Sequence, residues 1–392
     1  MKSASRKKDQ FRSNLPLRSG GASAVIIERG DSLIVLSALL LTAIGLVMVY
    51  SASPFVAMKY HRADWYFFTR QLLFTVIGLG ALFVGAKVDV DIYRRWIKIV
   101  LLVFIILMGL QLVSPLGPRI GGTRRWLDLG FVRIQTSDVA RSLIIIYLAR
   151  ILSEKPEVLQ KLNKRMLSVI GIIAVPILLT IFQPDLSSAL VMTVIAGLIL
   201  FLGGMKLRHI FAFGSVGGLF GSIWILKTSY QRERLINFFL RITEGSGGDN
   251  YQTMQSLLGF GRGGLFGVGL GQGKQKMLFL PEPHTDFIYS IIGEELGLIR
   301  AALVLVLFLI LALRTTRMLK DQPDRFNYLL GSGLICSIVV FALINMYVAT
   351  GLMPVTGLPL PFISSGGTNL VISLWSVGVL WQLSGKAVRS GR

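Results

Sequence analysis

"LPEPHTDFIYSIIGEELGLIRAALVLVLFLILAL", residues 280–313, opens on a polar shoulder and ends as an unbroken apolar run. Pro281, Glu282, Pro283, His284, Thr285 and Asp286 come first, and two adjacent acids, Glu294 and Glu295, sit early in the helix-like stretch behind them. As a helix rising about 1.5 Å per residue, residues 286–313 are long enough to cross about 30 Å of hydrocarbon. Comparable runs are predicted over 32–51, 72–88, 96–114, 138–153, 166–182, 186–204, 210–226, 328–350 and 367–385. The 392-residue chain is 53% hydrophobic and 16% charged, against about 25% charged in a soluble domain. Its mean hydropathy is +0.66. The expected fold is an all-α polytopic membrane protein of about ten transmembrane helices.

A net charge of +21 invites a nucleic-acid partner. The basic residues argue against one, because they are punctuation between apolar runs and not a single patch. Lys2, Arg6, Lys7, Lys8, Arg12, Arg18 and Arg29 precede the first run, and later groups follow at Lys87/Arg94/Arg95, Arg150/Lys155/Lys161/Lys164/Arg165, Lys206/Arg208, Arg314/Arg317/Lys320/Arg325 and Lys386/Arg389/Arg392. With ten crossings all of these fall on one side, which the positive-inside rule makes the cytoplasmic one. The expected organisation is a basic cytoplasmic tail (1–31), a transmembrane domain (32–385) and a short cytoplasmic tail (386–392), with a long extracytoplasmic loop over 227–285. The first run is too long for a signal peptide and lacks a small-residue cleavage site after it, so it is kept as a crossing. Cys336 is the single cysteine and lies inside the ninth run. Disulfide and cysteine-zinc chemistry are therefore excluded.

The unusual residues gather in the segments expected outside the cell. In "GGTRRWLDLGFVRIQTSD" (121–138), Arg124, Arg125 and Arg133 join Arg119 on the face where positive charge is normally sparse. Two readings stand: an interfacial amphipathic segment anchored by Trp126, or an anion site in which paired guanidiniums capture a phosphate or diphosphate. "QPDLSSAL" (183–190) places Asp185 at a helix start, an ordinary capping position, and Arg141 is its expected ion partner. Glu294 lies about 12 Å deeper than Asp286 along the helix. With Glu295 it is expected to be a buried structural pair with a basic or hydroxyl partner. Asp286 and Glu282 are expected at the membrane surface beside a helix start that favours an ionised carboxylate, which suits a general base. His284 is expected to orient a neighbour. "GFGRGG" (259–264) formally matches a dinucleotide loop but lacks a preceding strand and is expected outside the cell, and "GLGQGKQK" (269–276) fails the phosphate-loop pattern at its first glycine and its final hydroxyl. No HExxH motif occurs, no metal-ligand residue is singled out, and a nucleotide-sugar donor is not expected. The remaining possibility is an activated substrate that arrives in the lipid.

Together "GLVMVYSAS" (45–53), "GGTRRWLDLG" (121–130), "QPDLSSAL" (183–190), "LPEPHTDFIYSIIGEELG" (280–297) and "GLPLPFISSGGTNL" (357–370) resemble the SEDS family of bacterial shape, elongation, division and sporulation proteins. The resemblance runs from about residue 31 to 385 and is nearest to the division branch, with the elongation and sporulation branches as alternatives. It implies a peptidoglycan glycosyltransferase that polymerises lipid II at the outer face of the bacterial cytoplasmic membrane, at the division septum. The implied partners are a class B penicillin-binding protein and other membrane proteins of the division machinery. Asp286 matches the family's essential acid. Arg124, Arg125, Trp126, Gln135, Asp185, Glu282, His284, Thr285, Ser364, Gly366 and Gly367 are the candidate substrate-binding residues. Two motifs depart from the family. One reads Ile134, Gln135, Thr136, Ser137, Asp138 and Arg141, with the charges kept; in the other Ser365 replaces a tyrosine. No cofactor is implied, and a divalent cation is left open. A lipid II flippase, which would use the charged residues inside the runs (Arg141, Glu294, Glu295), and a silent division scaffold are the rival classes.

Overall fold

The computed structural model describes residues 30–113, 117–118, 123–128, 130, 132–159, 163–244 and 251–386. The basic tail before residue 30, Arg119, Gly121, Gly122 and the tail beyond 386 lie outside the described residues. Every apolar run expected to cross is a helix. They are α1 (Ser32–Ala52), α3 (Tyr66–Lys87), α4 (Val90–Val113), α5 (Thr136–Glu154), α6 (Lys164–Phe182), α7 (Leu186–Leu202), α8 (Leu207–Lys227), α11 (Ile288–Lys320), α12 (Arg325–Ala349) and α13 (Gly367–Gly385). The short α2 (Pro54–Lys59) follows α1.

By length and composition, 7 of these helices can cross a membrane: α1, α3, α4, α6, α8, α11 and α12. The other helices fall short for physical reasons. The 17-residue α7 is brief. Helices α5 and α13 carry buried polar side chains, among them Asp138, Arg141, Asn369, Ser373 and Ser376. A helix surrounded by other helices need not be apolar all round, and α5 packs against α4, α7 and α12. Helices α3 and α13 approach closely because glycine lets them: a Cβ on Gly378 would lie 2.1 Å from the Leu82 carbonyl oxygen.

The expected ion pair of Arg141 with Asp185 is not formed. Arg141 pairs with Asp138, 3.1 Å away and three residues earlier on the same helix, and its guanidinium lies 3.9 Å from the Phe341 ring centroid. Asp138 also accepts from the Asn369 amide at 3.3 Å. Asp185 instead caps α7 by accepting from the Ser188 N–H at 3.3 Å, and it accepts from the Ser137 hydroxyl at 3.3 Å. A partner one helical turn away is already in place when a helix forms.

The stretch 227–285, expected as a loop, is largely helical. It contains α9 (Ser229–Glu244), α10 (Tyr251–Gly263) and a single π-helical turn (Gln275–Phe279). Helix α10 buries a face of small residues, Thr253, Ser256, Gly259 and Gly263, against α11. The apolar stripe of α10, Met254, Leu257 and Leu258, stays exposed, so it does not mark a core-facing helix in the sequence. The Ser290 hydroxyl donates to the Ser256 carbonyl at 3.0 Å, and the Ser256 hydroxyl donates to the Ala349 carbonyl at 2.5 Å.

Helix α11 breaks at Gly297, where φ is 83°. The glycine-rich chain after α10 threads this break: the Val268 and Gly269 N–H groups donate to the Glu294 and Glu295 carbonyls, both at 3.0 Å, and the Leu298 N–H donates to the Gly264 carbonyl at 2.9 Å. Glu294 accepts from the N–H groups of Lys274 (2.9 Å) and Gln275 (3.1 Å) and faces Arg262 at 3.4 Å. Glu295 meets Lys276 at 2.7 Å, the Ser51 hydroxyl at 2.7 Å and the Gly271 N–H at 3.0 Å. The buried pair thus has both basic and hydroxyl partners. "GLGQGKQK" is an anion loop after all, but its anions are the protein's own carboxylates.

Packing at this interface predicts opposite outcomes for two nearby glycines. A Cβ on Gly263 would lie 2.1 Å from the Gly293 carbonyl oxygen, whereas nothing lies within 4 Å of one on Gly261. Gly263→Ala should destabilise by about 1–3 kcal/mol through overpacking. Gly261→Ala should be neutral or stabilise by about 0.5–1 kcal/mol through its helix interior. Thermal unfolding of the two variants in detergent measures both, and equal midpoints would contradict the packing described.

Candidate active site

Pro281 to Phe287 form a tight turn that delivers the chain into α11. Glu282 occupies the left-handed region at φ 50°, held because its carbonyl accepts from the N–H of Thr285 at 3.2 Å and from its hydroxyl at 3.1 Å. The turn is joined to the loop before α13. The Ser364 hydroxyl donates to the Thr285 carbonyl at 2.5 Å and accepts from the Leu360 N–H at 2.8 Å, and the Ser365 N–H donates to the His284 carbonyl at 2.9 Å. From α12, the Asn345 amide donates to the carbonyls of Asp286 (2.9 Å) and Leu358 (2.8 Å). These contacts fix the backbone at Asp286 from three elements.

The Asp286 side chain is half-buried. Its Oδ2 looks onto Gly357, 3.6 Å from where a Cβ would stand, in a stretch where φ is 73°. Burial, and then the charge of Glu282, push the acid up to about 6; Arg234, the Thr285 hydroxyl and Arg125 oppose the shift. Glu282 is itself raised by burial against the pull of Lys59 and Tyr60. His284 is buried, its ring 4.3 Å from that of Phe67. Burial draws its pKa down to about 4, so it is neutral and serves as a packing anchor for the turn.

The second wall comes from the arginine-rich segment. Strands β1 (Trp126–Asp128) and β2 (Arg133–Gln135) pair antiparallel, with Trp126 opposite Gln135. Arg124 and Arg125, adjacent in sequence, diverge in space. Arg124 donates to the Leu112 carbonyl at the end of α4, and Arg125 to the Pro184 carbonyl. Arg125 acts electrostatically on Asp286. The Gln135 N–H donates to the Thr368 hydroxyl at 3.0 Å, and the Gln135 amide reaches Asp185 at 3.5 Å.

The turn therefore gathers Asp286, Glu282, Thr285, His284 and Ser364, with Arg125 in electrostatic reach. Ser364 spends its hydroxyl on the main chain. Trp126 and Gln135 belong to the hairpin beside Arg125, and Asp185, the cap of α7, is reached by the Gln135 amide. Gly366 caps α13, and Gly367 lies under the Phe74 ring, which a Cβ would approach to 2.5 Å. Three residues of the site were not among the sequence candidates: Arg234, Asn345 and Gly357. Asn345 had a signal, since a buried amide inside an apolar run needs a partner. Arg234 was hidden in the stretch read as a loop. Among the described residues, no group of three or more His, Cys, Asp or Glu could hold a metal ion.

Residues 31–388 match the model of the FtsW/RodA/SpoVE family, described as cell cycle proteins. The chain is 39% identical over 355 residues to stage V sporulation protein E of Bacillus subtilis, covering 90% of this chain and 96% of the relative. It is 37% identical over 354 residues to the probable peptidoglycan glycosyltransferase FtsW of Trichlorobacter lovleyi, covering 90% and 93%. Among solved structures it is similar to rod shape determining protein RodA of Thermus thermophilus, with TM-score 0.67, 24% identity and coverage of 92% and 98%. It is also similar to a chain described under structural coordination of polymerization and crosslinking by a peptidoglycan synthase complex, with TM-score 0.73, 24% identity and coverage of 91% and 97%. At these identities the structures share the fold.

The raised acid carries a stability consequence. Asp286 sits at about 6 against an ordinary 3.8, so the fold favours the protonated side chain. That contribution is full below about pH 4 and lost as pH rises through about 6. Above that, the ionised carboxylate costs stability. Asp286→Asn is expected to raise the thermal midpoint at pH 7.5 and to change it much less at about pH 4. A variant that is less stable than the parent at pH 7.5 would count against the raised acid.

Proposed function

The chain belongs to the FtsW/RodA/SpoVE family of cell cycle proteins, and from that premise we propose that it is a peptidoglycan glycosyltransferase polymerising lipid II, with Asp286 as general base. It is an integral membrane protein. The observation that carries the mechanism is the state of Asp286: a half-buried carboxylate at the head of α11, raised to about 6 with Arg234 and Arg125 in electrostatic reach. A base of that strength is largely ionised at neutral pH yet stronger than an ordinary aspartate, which general base catalysis rewards.

In the proposed reaction, Asp286 takes the proton from the 4-hydroxyl of the acceptor sugar as that oxygen attacks the anomeric carbon of the donor. The bond to undecaprenyl pyrophosphate breaks and configuration inverts, as expected for direct displacement without a covalent intermediate. The leaving group needs charge stabilisation and no proton, and Arg125 is placed to supply it. Arg124 is turned to Leu112 and contributes through the hairpin. The 4-hydroxyl attacks at the outer face of the membrane, where lipid II is presented, and the working partner is a class B penicillin-binding protein. The solved neighbour described as a synthase complex that coordinates polymerisation with crosslinking supports such a pairing. Cell division at the septum, among other division membrane proteins, is the setting we assign.

A flippase would use the charged groups deep in the bundle. Those groups are engaged inside the protein: Glu294 and Glu295 by the glycine-rich loop, Arg141 by Asp138. The function is tested with purified protein, its partner and lipid II in detergent, where no membrane sidedness exists. Asp286→Asn should cut polymerisation by about 10²–10⁴-fold. The parent's kcat/KM should fall about tenfold per pH unit below about pH 6, as the base is protonated. Near-normal glycan synthesis by the Asn variant would rule out Asp286 as the base.

A further inference from the structure

We infer that Arg125 and Arg234, reaching the site from two separate elements, form the seat for the diphosphate of the lipid-linked donor; this rests on the polymerase function proposed above. Arg234 comes from α9, and its Nη1 donates to the Val355 carbonyl at 3.2 Å. Two residues further on, Gly357 faces Oδ2 of Asp286 across bare backbone. Arg234 and the proposed base therefore meet over one short stretch, residues 355–357. Arg125 enters from the hairpin side, donating to the Pro184 carbonyl, and its Nε is buried without a hydrogen-bond partner. Both guanidiniums also favour the ionised form of Asp286, which puts both in electrostatic reach of the same carboxylate.

The arrangement selects the chemistry of the ligand. A guanidinium presents N–H groups in a rigid fork that matches phosphate oxygens two at a time. Two such forks beside a carboxylate suit an anion with two phosphoryl groups, whose charge grows as the glycosyl bond breaks. The carboxylate marks where the reacting sugar must lie and the arginines where the leaving group must lie. Helix α9 also exposes Leu235, Ile236 and Phe239, an apolar surface next to which a polyprenyl tail can run. The sequence pairs Arg124 with Arg125, but the fold sends Arg124 to Leu112 and supplies its replacement from a helix more than a hundred residues later.

The test uses the full-length protein purified in detergent with a short-chain prenyl diphosphate as probe, and the matching prenyl monophosphate and alcohol as controls. Equilibrium binding is measured in the Asp286→Asn background, so that it does not depend on turnover. The diphosphate should bind more tightly than either control. Arg234→Gln and Arg125→Gln should each weaken it by about tenfold or more, the loss expected for one charge-assisted bidentate contact. Arg234→Lys, which keeps the charge without the fork, should fall between parent and Arg234→Gln, and it serves as the test variant if the glutamine protein does not fold. Arg133→Gln, whose parent side chain pairs with Asp128 at 3.0 Å, should stay within about twofold. In polymerisation, Arg234→Gln should raise KM for lipid II. The seat is refuted if Arg234→Gln, or in its place Arg234→Lys, binds the diphosphate as the parent does, if Arg124→Gln weakens binding while Arg234→Gln does not, or if the probe binds no better than its alcohol. Binding in the expected pattern without glycan synthesis from lipid II would instead remove the polymerase function and leave the diphosphate seat standing.

Discussion

A carboxylate placed inside a hydrocarbon-crossing helix must find its partners inside the protein, and α11 holds two in succession. Much of the architecture around the site answers that demand. The chain between α10 and α11 turns back through the break at Gly297 so that its N–H groups, with Arg262 and Lys276, surround Glu294 and Glu295. Irregular backbone at membrane depth is tolerated only where protein covers it, and α10 with its face of small residues provides the cover. The same wrapping carries the chain through the π-helical turn and up to Pro281. The turn bearing Asp286 is in this sense the upper end of a strap anchored on the glutamates below.

The site adds a second tension. Its proposed base is half-buried beside another acid, Glu282, which lifts its basicity, while arginines from two directions keep it ionisable. Neutral groups do the holding. Asn345, Ser364 and the main chain of Ser365 bind carbonyls of the turn, leaving the carboxylate of Asp286 facing Gly357. Positioning of the turn is therefore left to amide and hydroxyl groups, which do not change with pH.

The sequence made the membrane-type α fold legible because hydrocarbon is a simple solvent: a run of apolar residues has few other destinations, and all the long helices appear where the runs do. Asp286 was legible as a carboxylate at the head of such a run. Helices α9 and α10 were not, since α10 packs by smallness and α9 by few contacts, and neither follows an apolar stripe into a core. The partner of Arg141 was misassigned because Asp185, across the bundle, looked equally placed, whereas Asp138 needed only the regularity of one helical turn. The divergence of Arg124 and Arg125 depends on which carbonyl each one reaches, and no spacing rule encodes that.

The wrapped glutamates also bear on how the protein is made. Among the described residues, the groups that bind the two carboxylates, Ser51, Arg262, Gly271, Lys274, Gln275 and Lys276, precede them in the chain. A ribosome working from N- to C-terminus therefore delivers the counter-charges and amides before the acids arrive. Glu294 and Glu295 can enter the bilayer with their partners already synthesised, so at no stage need the nascent chain expose both charges bare to lipid.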